Sequence, residues 1–237
     1  MKKLIQGLHH FTSNTFSHHQ ELFHRLTTEG QKPDTLFITC SDSRILPDLV
    51  TSSVPGELFV LRNAGNLVPP YGAGERGVEA TIEYAVRVLG VKDIVVCGHS
   101  HCGAVHGLLN QDKLGKLPAV LRWLEFAERT KCVVEDHYHE LPSVDQVNVA
   151  IQENVLAQLE NLLTHPSVAT RIVKGDIHLH GWVYKIESGE IFGFDSAQGQ
   201  FRKIVDNTTA LDPELASRPA PAPRRGKRSP QVAREAL

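Results

Sequence analysis

Apolar positions in this 237-residue chain switch between two spacings. Leu4, Leu8 and Phe11 share one helical face and Leu22, Phe23 and Leu26 another, which predicts two short N-terminal helices divided by a polar break at Ser17. Thr35-Leu36-Phe37-Ile38-Thr39 is an apolar, β-branched run that ends abruptly in Cys40-Ser41-Asp42-Ser43-Arg44, the pattern of a buried strand feeding a loop. A second strand, 57–62, follows the Pro55-Gly56 turn. Val78, Ile82, Ala85, Val86 and Leu89 recur at helical spacing until Gly90 stops them. Asp93-Ile94-Val95-Val96-Cys97-Gly98 is the clearest strand, and it too runs into a chemically loaded segment, His99 to Gly103. Helices are predicted over 104–110, 118–130 and 144–163. A strand over 177–186 turns at Glu187-Ser188-Gly189-Glu190 into a hairpin partner, 191–195.

Strands alternating with helices predict an α/β fold with a mainly parallel central sheet, an antiparallel edge strand and flanking helices. Ligands in such sheets bind outside the carboxyl ends of the strands. Both loaded segments lie there. One catalytic domain is expected over 1–206. Beyond it the character changes: Pro213 to Leu237 holds five of the 13 prolines, with Arg218, Arg224, Arg225, Lys227, Arg228 and Arg234 facing few acids. That composition predicts a disordered, solvated tail over 207–237, or else a segment that binds an acidic partner.

Composition narrows the function classes. A net charge of -2 gives no reason to expect nucleic acid as a partner. No apolar run approaches the roughly 20 residues that span a bilayer, and the signal-like start Met1-Lys2-Lys3-Leu4-Ile5 turns polar at His9 and His10. A cytoplasmic protein is therefore expected. In that compartment the four cysteines read as buried thiols or metal ligands rather than disulfides. Gly72-Ala73-Gly74-Glu75-Arg76-Gly77 has the dinucleotide spacing G-x-G-x-x-G, but it follows Pro69-Pro70-Tyr71 and not a strand, so it is set aside.

Cys40, His99 and Cys102 offer thiolate, imidazole and thiolate, ligand types that zinc prefers, with Asp42 adding a carboxylate nearby. His-x-x-Cys spacing lets one turn past a strand aim two side chains at one ion, and Cys40 closes the site from a neighbouring strand end. His101 diverges from that turn. Three protein ligands with a displaceable fourth position is the catalytic arrangement of zinc. Cys97, inside an apolar strand, reads as a packing thiol, and Cys132 is given no role.

Cys40-x-Asp42-x-Arg44 with His99-x-x-Cys102 resembles the zinc signature of the beta-class carbonic anhydrases. Gly56-Glu57-Leu58-Phe59-Val60, Arg62-Asn63-Ala64-Gly65-Asn66-Leu67, Ile82-Glu83-Tyr84-Ala85 and Cys97 to Ala104 are similar to family segments in the same order, as far as about Phe194. The resemblance implies one zinc per chain and reversible hydration of carbon dioxide to bicarbonate by a zinc hydroxide. Asp42, held by Arg44, would be the dyad that orients this hydroxide. It also places Gln31, Phe59, Tyr84 and Gly103 around the substrate, with Gln31 acting across a dimer interface. The N-terminal helices would wrap a partner subunit in a homodimer or larger oligomer. His101 and His106 are weaker proton-relay candidates than solvent or buffer.

The core looks especially like bacterial and cyanobacterial members, some of them packaged in carboxysomes through C-terminal extensions, so the tail is a candidate docking segment for a scaffold protein. Two alternatives stay open: a relative acting on another linear substrate such as carbon disulfide or carbonyl sulfide, and a non-catalytic zinc scaffold. A bicarbonate-switched subtype of the family holds a second bicarbonate among a tryptophan, an arginine and a tyrosine. Here Arg62 and Tyr184 match, but Phe37 stands where that tryptophan would be, which predicts an unswitched site.

Overall fold

The computed structural model describes residues 1–204. The chain opens with α1 (Lys2–His10), a π-helical turn (Phe11–Thr15) and α2 (Phe16–Thr28), one unbroken helical run instead of the two helices expected. The polar stretch does not break it because it holds no proline or glycine, and its hydroxyls bond back along the helix: Thr12 Oγ1 to the Leu8 carbonyl at 3.0 Å, Ser17 Oγ to that of Asn14 at 2.7 Å. The wide turn brings Phe11, Phe16 and Phe23 together, with Phe16 stacked on Phe23 at 5.6 Å. No residue of the run is buried.

The body follows as β1 (Thr35–Cys40), α3 (Pro47–Thr51), β2 (Leu58–Asn63), α4 (Arg76–Glu83) with a final π turn (Tyr84–Leu89), and β3 (Asp93–His99). Then come α5 (Gly103–Leu109), α6 (Pro118–Leu124), α7 (Glu128–His137), α8 (Ser143–Leu162) and α9 (Pro166–Lys174), and finally β4 (His178–Tyr184), β5 (Ile191–Asp195) and β6 (Gln200–Lys203). The helix expected over 118–130 is divided by a 3-10 turn, Glu125–Ala127, and continues to His137. α3, α9 and β6 are additions to the elements that the sequence pattern predicts. α9 nonetheless carries ordinary signals, proline at its first position and a left-handed Gly175 at its end. β6 is four residues long and buries only Phe201, too little for a periodicity to show.

The sheet order is β2-β1-β3-β4-β5-β6; the first four strands are parallel, and β5 and β6 are antiparallel. Two antiparallel strands, with β6 at the edge, thus stand where a single one was expected. From β1 the chain steps to β2 on one side and to β3 on the other, so the crevice between the ends of β1 and β3 is the topological switch point. α8 lies against the middle of the sheet with Val149, Ile151, Val155, Leu159 and Leu162 buried. Its close approach requires glycine in the two strands beneath it. A Cβ on Gly98 would stand 2.9 Å from Val155 Cγ2, and one on Gly181 2.9 Å from Val155 Cγ1. The opposite face carries a smaller cluster of Phe37, Ile45, Val95 and Cys97, with Trp182 packed edge-on to Phe37. The tail expected over 207–237 lies outside the described residues.

Candidate metal centre

Cys40 ends β1, His99 ends β3, and Cys102 caps α5. All three are buried, and their ligand atoms lie within 4.8 Å of one another, the two sulfurs 3.9 Å apart. His101 makes the turn between His99 and Cys102. It adopts a left-handed backbone (φ 56), which histidine tolerates better than most residues, and its side chain points away, 65% exposed. Ser100 anchors the turn to the β4–β5 hairpin: its N–H donates to the Tyr184 carbonyl, its hydroxyl donates to Glu187 Oε2 at 2.6 Å and accepts from the Ile186 N–H.

The imidazole of His99 is fixed in one tautomer. Its Nδ1 lies 2.8 Å from the Ser100 carbonyl, which can only accept, so Nδ1 carries the proton and Nε2 presents a lone pair. That Nε2 is fully buried and has no hydrogen-bond partner, an expensive arrangement unless a cation takes the lone pair. Two sulfurs and one such nitrogen are a donor set that fits zinc. In the protein alone, the S–H of Cys102 together with the Gly65 N–H favours the Cys40 thiolate, and this thiolate with burial pushes Cys102 the other way. Cys97 is different. Burial raises its thiol to about 12, and it sits on the opposite face of the sheet from Cys40.

Asp42 and Arg44 are joined by three hydrogen bonds: Arg44 N–H and Nε donate to Oδ1, each at 2.9 Å, and Nη2 to Oδ2 at 2.7 Å. The guanidinium holds the Asp42 carboxyl well below the usual carboxylate range. Asp42 Oδ2 is also 3.9 Å from His99 Nε2, which puts the carboxylate at the rim of the cluster. Arg44 continues to the His101 carbonyl at 3.1 Å and so ties the two ligand-bearing loops together.

The residues expected around the substrate are spread more widely. Phe59 on β2 is partly buried and its ring lies 5.9 Å from that of Tyr84, which opens the π turn after α4 and is exposed. Gln31 is exposed in the link between α2 and β1. Gly103 is the first residue of α5, and a Cβ there would meet nothing within 4 Å. His106 is exposed on α5. Arg62 donates from Nε to the Cys40 carbonyl (3.1 Å) and from Nη2 to those of Asp42 (2.7 Å) and Ile45 (2.9 Å), binding the loop that carries the site. Sequence reasoning missed that clamp and the Ser100–Glu187 anchor, because both depend on segments brought together only by the fold.

A family profile described as carbonic anhydrase matches residues 35–191. The carbonic anhydrase of Synechocystis sp. is 47% identical over 222 residues, 93% of this chain and 81% of the relative. Among solved structures, the beta-carbonic anhydrase CcaA is similar at 48% identity and a TM-score of 0.84, over 86% of this chain and 99% of that one. A structure from a study of two tetrameric beta-carbonic anhydrases of Sordaria macrospora follows at 30% identity and a TM-score of 0.73, over 81% and 95%. With a Cys-His-Cys cluster at the switch point of the sheet, the chain belongs to the beta-class carbonic anhydrases.

Proposed function

We propose that this carbonic anhydrase hydrates carbon dioxide on zinc held by Cys40, His99 and Cys102, with Asp42 and Arg44 as the orienting dyad. The single observation that carries the zinc assignment is the orphaned lone pair of buried His99 Nε2 beside two sulfurs. Zinc bound there supplies a Lewis acid that lets water ionise near neutral pH. The chain's own groups do the rest. Arg44 keeps Asp42 ionised, so at neutral pH the carboxylate accepts a hydrogen and does not give one. In this reading Oδ2 holds the hydrogen of the attacking water and turns an oxygen lone pair toward the carbon of CO2. The products are bicarbonate and a proton, which leaves to solvent or buffer.

Phe59 and Tyr84 form the apolar wall for a linear, apolar substrate, the Gly103 N–H donates to a bicarbonate oxygen, and Gln31 reaches the site of a second subunit. The exposed apolar side chains of the N-terminal run (Leu4, Ile5, Leu8, Phe11, Phe16) support a homo-oligomer in which that run lies on a partner. The tetrameric relatives of Sordaria support the same reading. For residues 207–237 the basic, proline-rich composition supports docking to a scaffold of a carboxysome within the cytoplasm.

Stopped-flow CO2 hydration with zinc counted on the same sample tests the core of this proposal. Zinc-dependent hydration supports it. Turnover of carbonyl sulfide or carbon disulfide without CO2 hydration would redirect it to another linear substrate. Truncation after Asp206 is expected to leave hydration intact and to abolish scaffold capture.

A further inference from the structure

The loop after β2 reaches the metal cluster through its backbone alone. The Gly65 N–H donates to Cys40 Sγ at 3.4 Å. On the other side of that same trans peptide, the Ala64 carbonyl accepts from the indole Nε1 of Trp123 at 2.7 Å. The two bonds therefore run in line, from indole to carbonyl and from amide to sulfur, and each polarises the next. The following peptide is pinned as well. The Gly65 carbonyl accepts from Nδ2 of fully buried Asn154, whose Oδ1 is held by Gln158 Nε2. Gly65 has φ 83, and a Cβ there would stand 3.1 Å from Ala104 Cβ, so both conformation and space call for glycine where the backbone meets the sulfur.

We propose that Trp123 is a positioning residue of the metal centre: through the Ala64–Gly65 peptide it aims one N–H at the Cys40 sulfur and thereby sets how strongly that thiolate donates to the metal. The inference rests on the assignment of Cys40 as a ligand. A hydrogen bond to a ligand sulfur withdraws electron density from it, and outer partners of this kind commonly tune metal affinity by 10- to 100-fold. Half-buried Trp123 is itself no part of the Cys40-His99-Cys102 cluster. Its ring packs edge-on against Phe126, centroids 5.6 Å apart.

The test uses the full chain loaded with cobalt(II), whose charge-transfer band from thiolate reports the donor strength of the sulfur. Trp123→Phe keeps an aromatic ring against Phe126 but has no N–H to give. The band is expected to move to longer wavelength, and cobalt affinity to fall about 10-fold as the loop loosens. Phe126→Leu loosens the same packing while leaving the indole N–H, and is expected to keep the wild-type band. An unmoved band in Trp123→Phe, or an equal shift in Phe126→Leu, would overturn the proposal. A measurement on unaltered protein removes any dependence on how the variant folds: with NMR-active cadmium bound, the Gly65 amide proton should couple to the metal through sulfur, and absence of coupling also overturns it. Wild-type protein that takes up no cobalt at the cluster refutes the ligand assignment and this inference with it. Cobalt bound normally in wild type and unchanged in Trp123→Phe refutes the inference alone.

Discussion

The parallel half of the sheet and the N-terminal helical run are built on opposite terms. Strands β1, β3 and β4 are buried along most of their length, and the loops at the carboxyl ends of the parallel strands are tied to one another and to the helices by Arg62, Arg44, Ser100, Trp123 and Asn154. Residues 2–28 contain no fully buried residue, and although Leu26 lies against Gly56, Leu4, Ile5, Leu8, Phe11 and Phe16 are exposed. The first region holds its candidate ligands and the Asp42–Arg44 pair by bonds within the chain. The second exposes apolar side chains that fit the proposed contact with another subunit. A single substitution should therefore act on turnover in one region and on assembly in the other.

The largest effects belong to the ligands. Cys40→Ala, His99→Ala and Cys102→Ala should each lose nearly all zinc and with it CO2 hydration, since each removes one of three protein donors. Cys97→Ser should keep its zinc, at a stability loss of about 1–3 kcal/mol for burying a hydroxyl in an apolar strand, read by denaturant unfolding. Metal analysis separates the two cases. Next come the dyad variants. Asp42→Ala and Arg44→Ala should each lower kcat by about 100-fold, the size expected of misorientation, with zinc content unchanged. Because the pair acts as a unit, the double variant should be little worse than either single one. Multiplying effects would separate their roles.

In the helical run the expected effect is on association. Leu4→Glu with Leu8→Glu should weaken the oligomer by at least about 3 kcal/mol, roughly 150-fold, visible as smaller species in sedimentation. Each separated chain should retain its zinc. Zinc lost along with assembly would show that the two regions are not independent.

The smallest effects concern pH. Arg44 depresses the folded-state pKa of Asp42, so the pair's contribution to stability is fully present above the ordinary aspartate pKa near 4 and is lost as pH falls through the depressed value. Asp42 should thus leave no inflection in hydration between pH 6 and 9, a range set by imidazole and zinc-bound water. His165 is buried, its Nε2–H donates to the Pro69 carbonyl at 3.0 Å, and burial lowers its pKa. Unfolded chains then bind the extra proton, so stability should decline below about pH 6.5, and less so in His165→Gln. Thermal melts at pH 7.5 and 5.5 compare them.

How much of this was legible in the sequence follows the same division. The strands leading to Cys40 and His99 could be read because a buried parallel strand is a continuous β-branched run, and such a run ending in polar residues marks a loop at the sheet's edge. The cluster of Cys40, His99 and Cys102 was legible from residue type and spacing. The break expected at Ser17 does not form, because the hydroxyls of the polar residues bond to carbonyls within the helix instead of ending it. The supports of the site were hidden for another reason. Trp123 and Asn154 lie 58 and 89 residues from Gly65, and no local pattern distinguishes an indole or carboxamide aimed at a loop from one that fills a core. Arg62 carried a motif, but only the fold shows its guanidinium spent on three carbonyls.

The most direct test of the central claim, that Cys40, His99 and Cys102 form the catalytic metal centre, is a zinc titration of the stripped protein followed by CO2 hydration. The account predicts activity that rises linearly with added zinc and stops at one zinc per chain, with no recovery in Cys102→Ala. Hydration by zinc-free protein, or full recovery in Cys102→Ala, would contradict it.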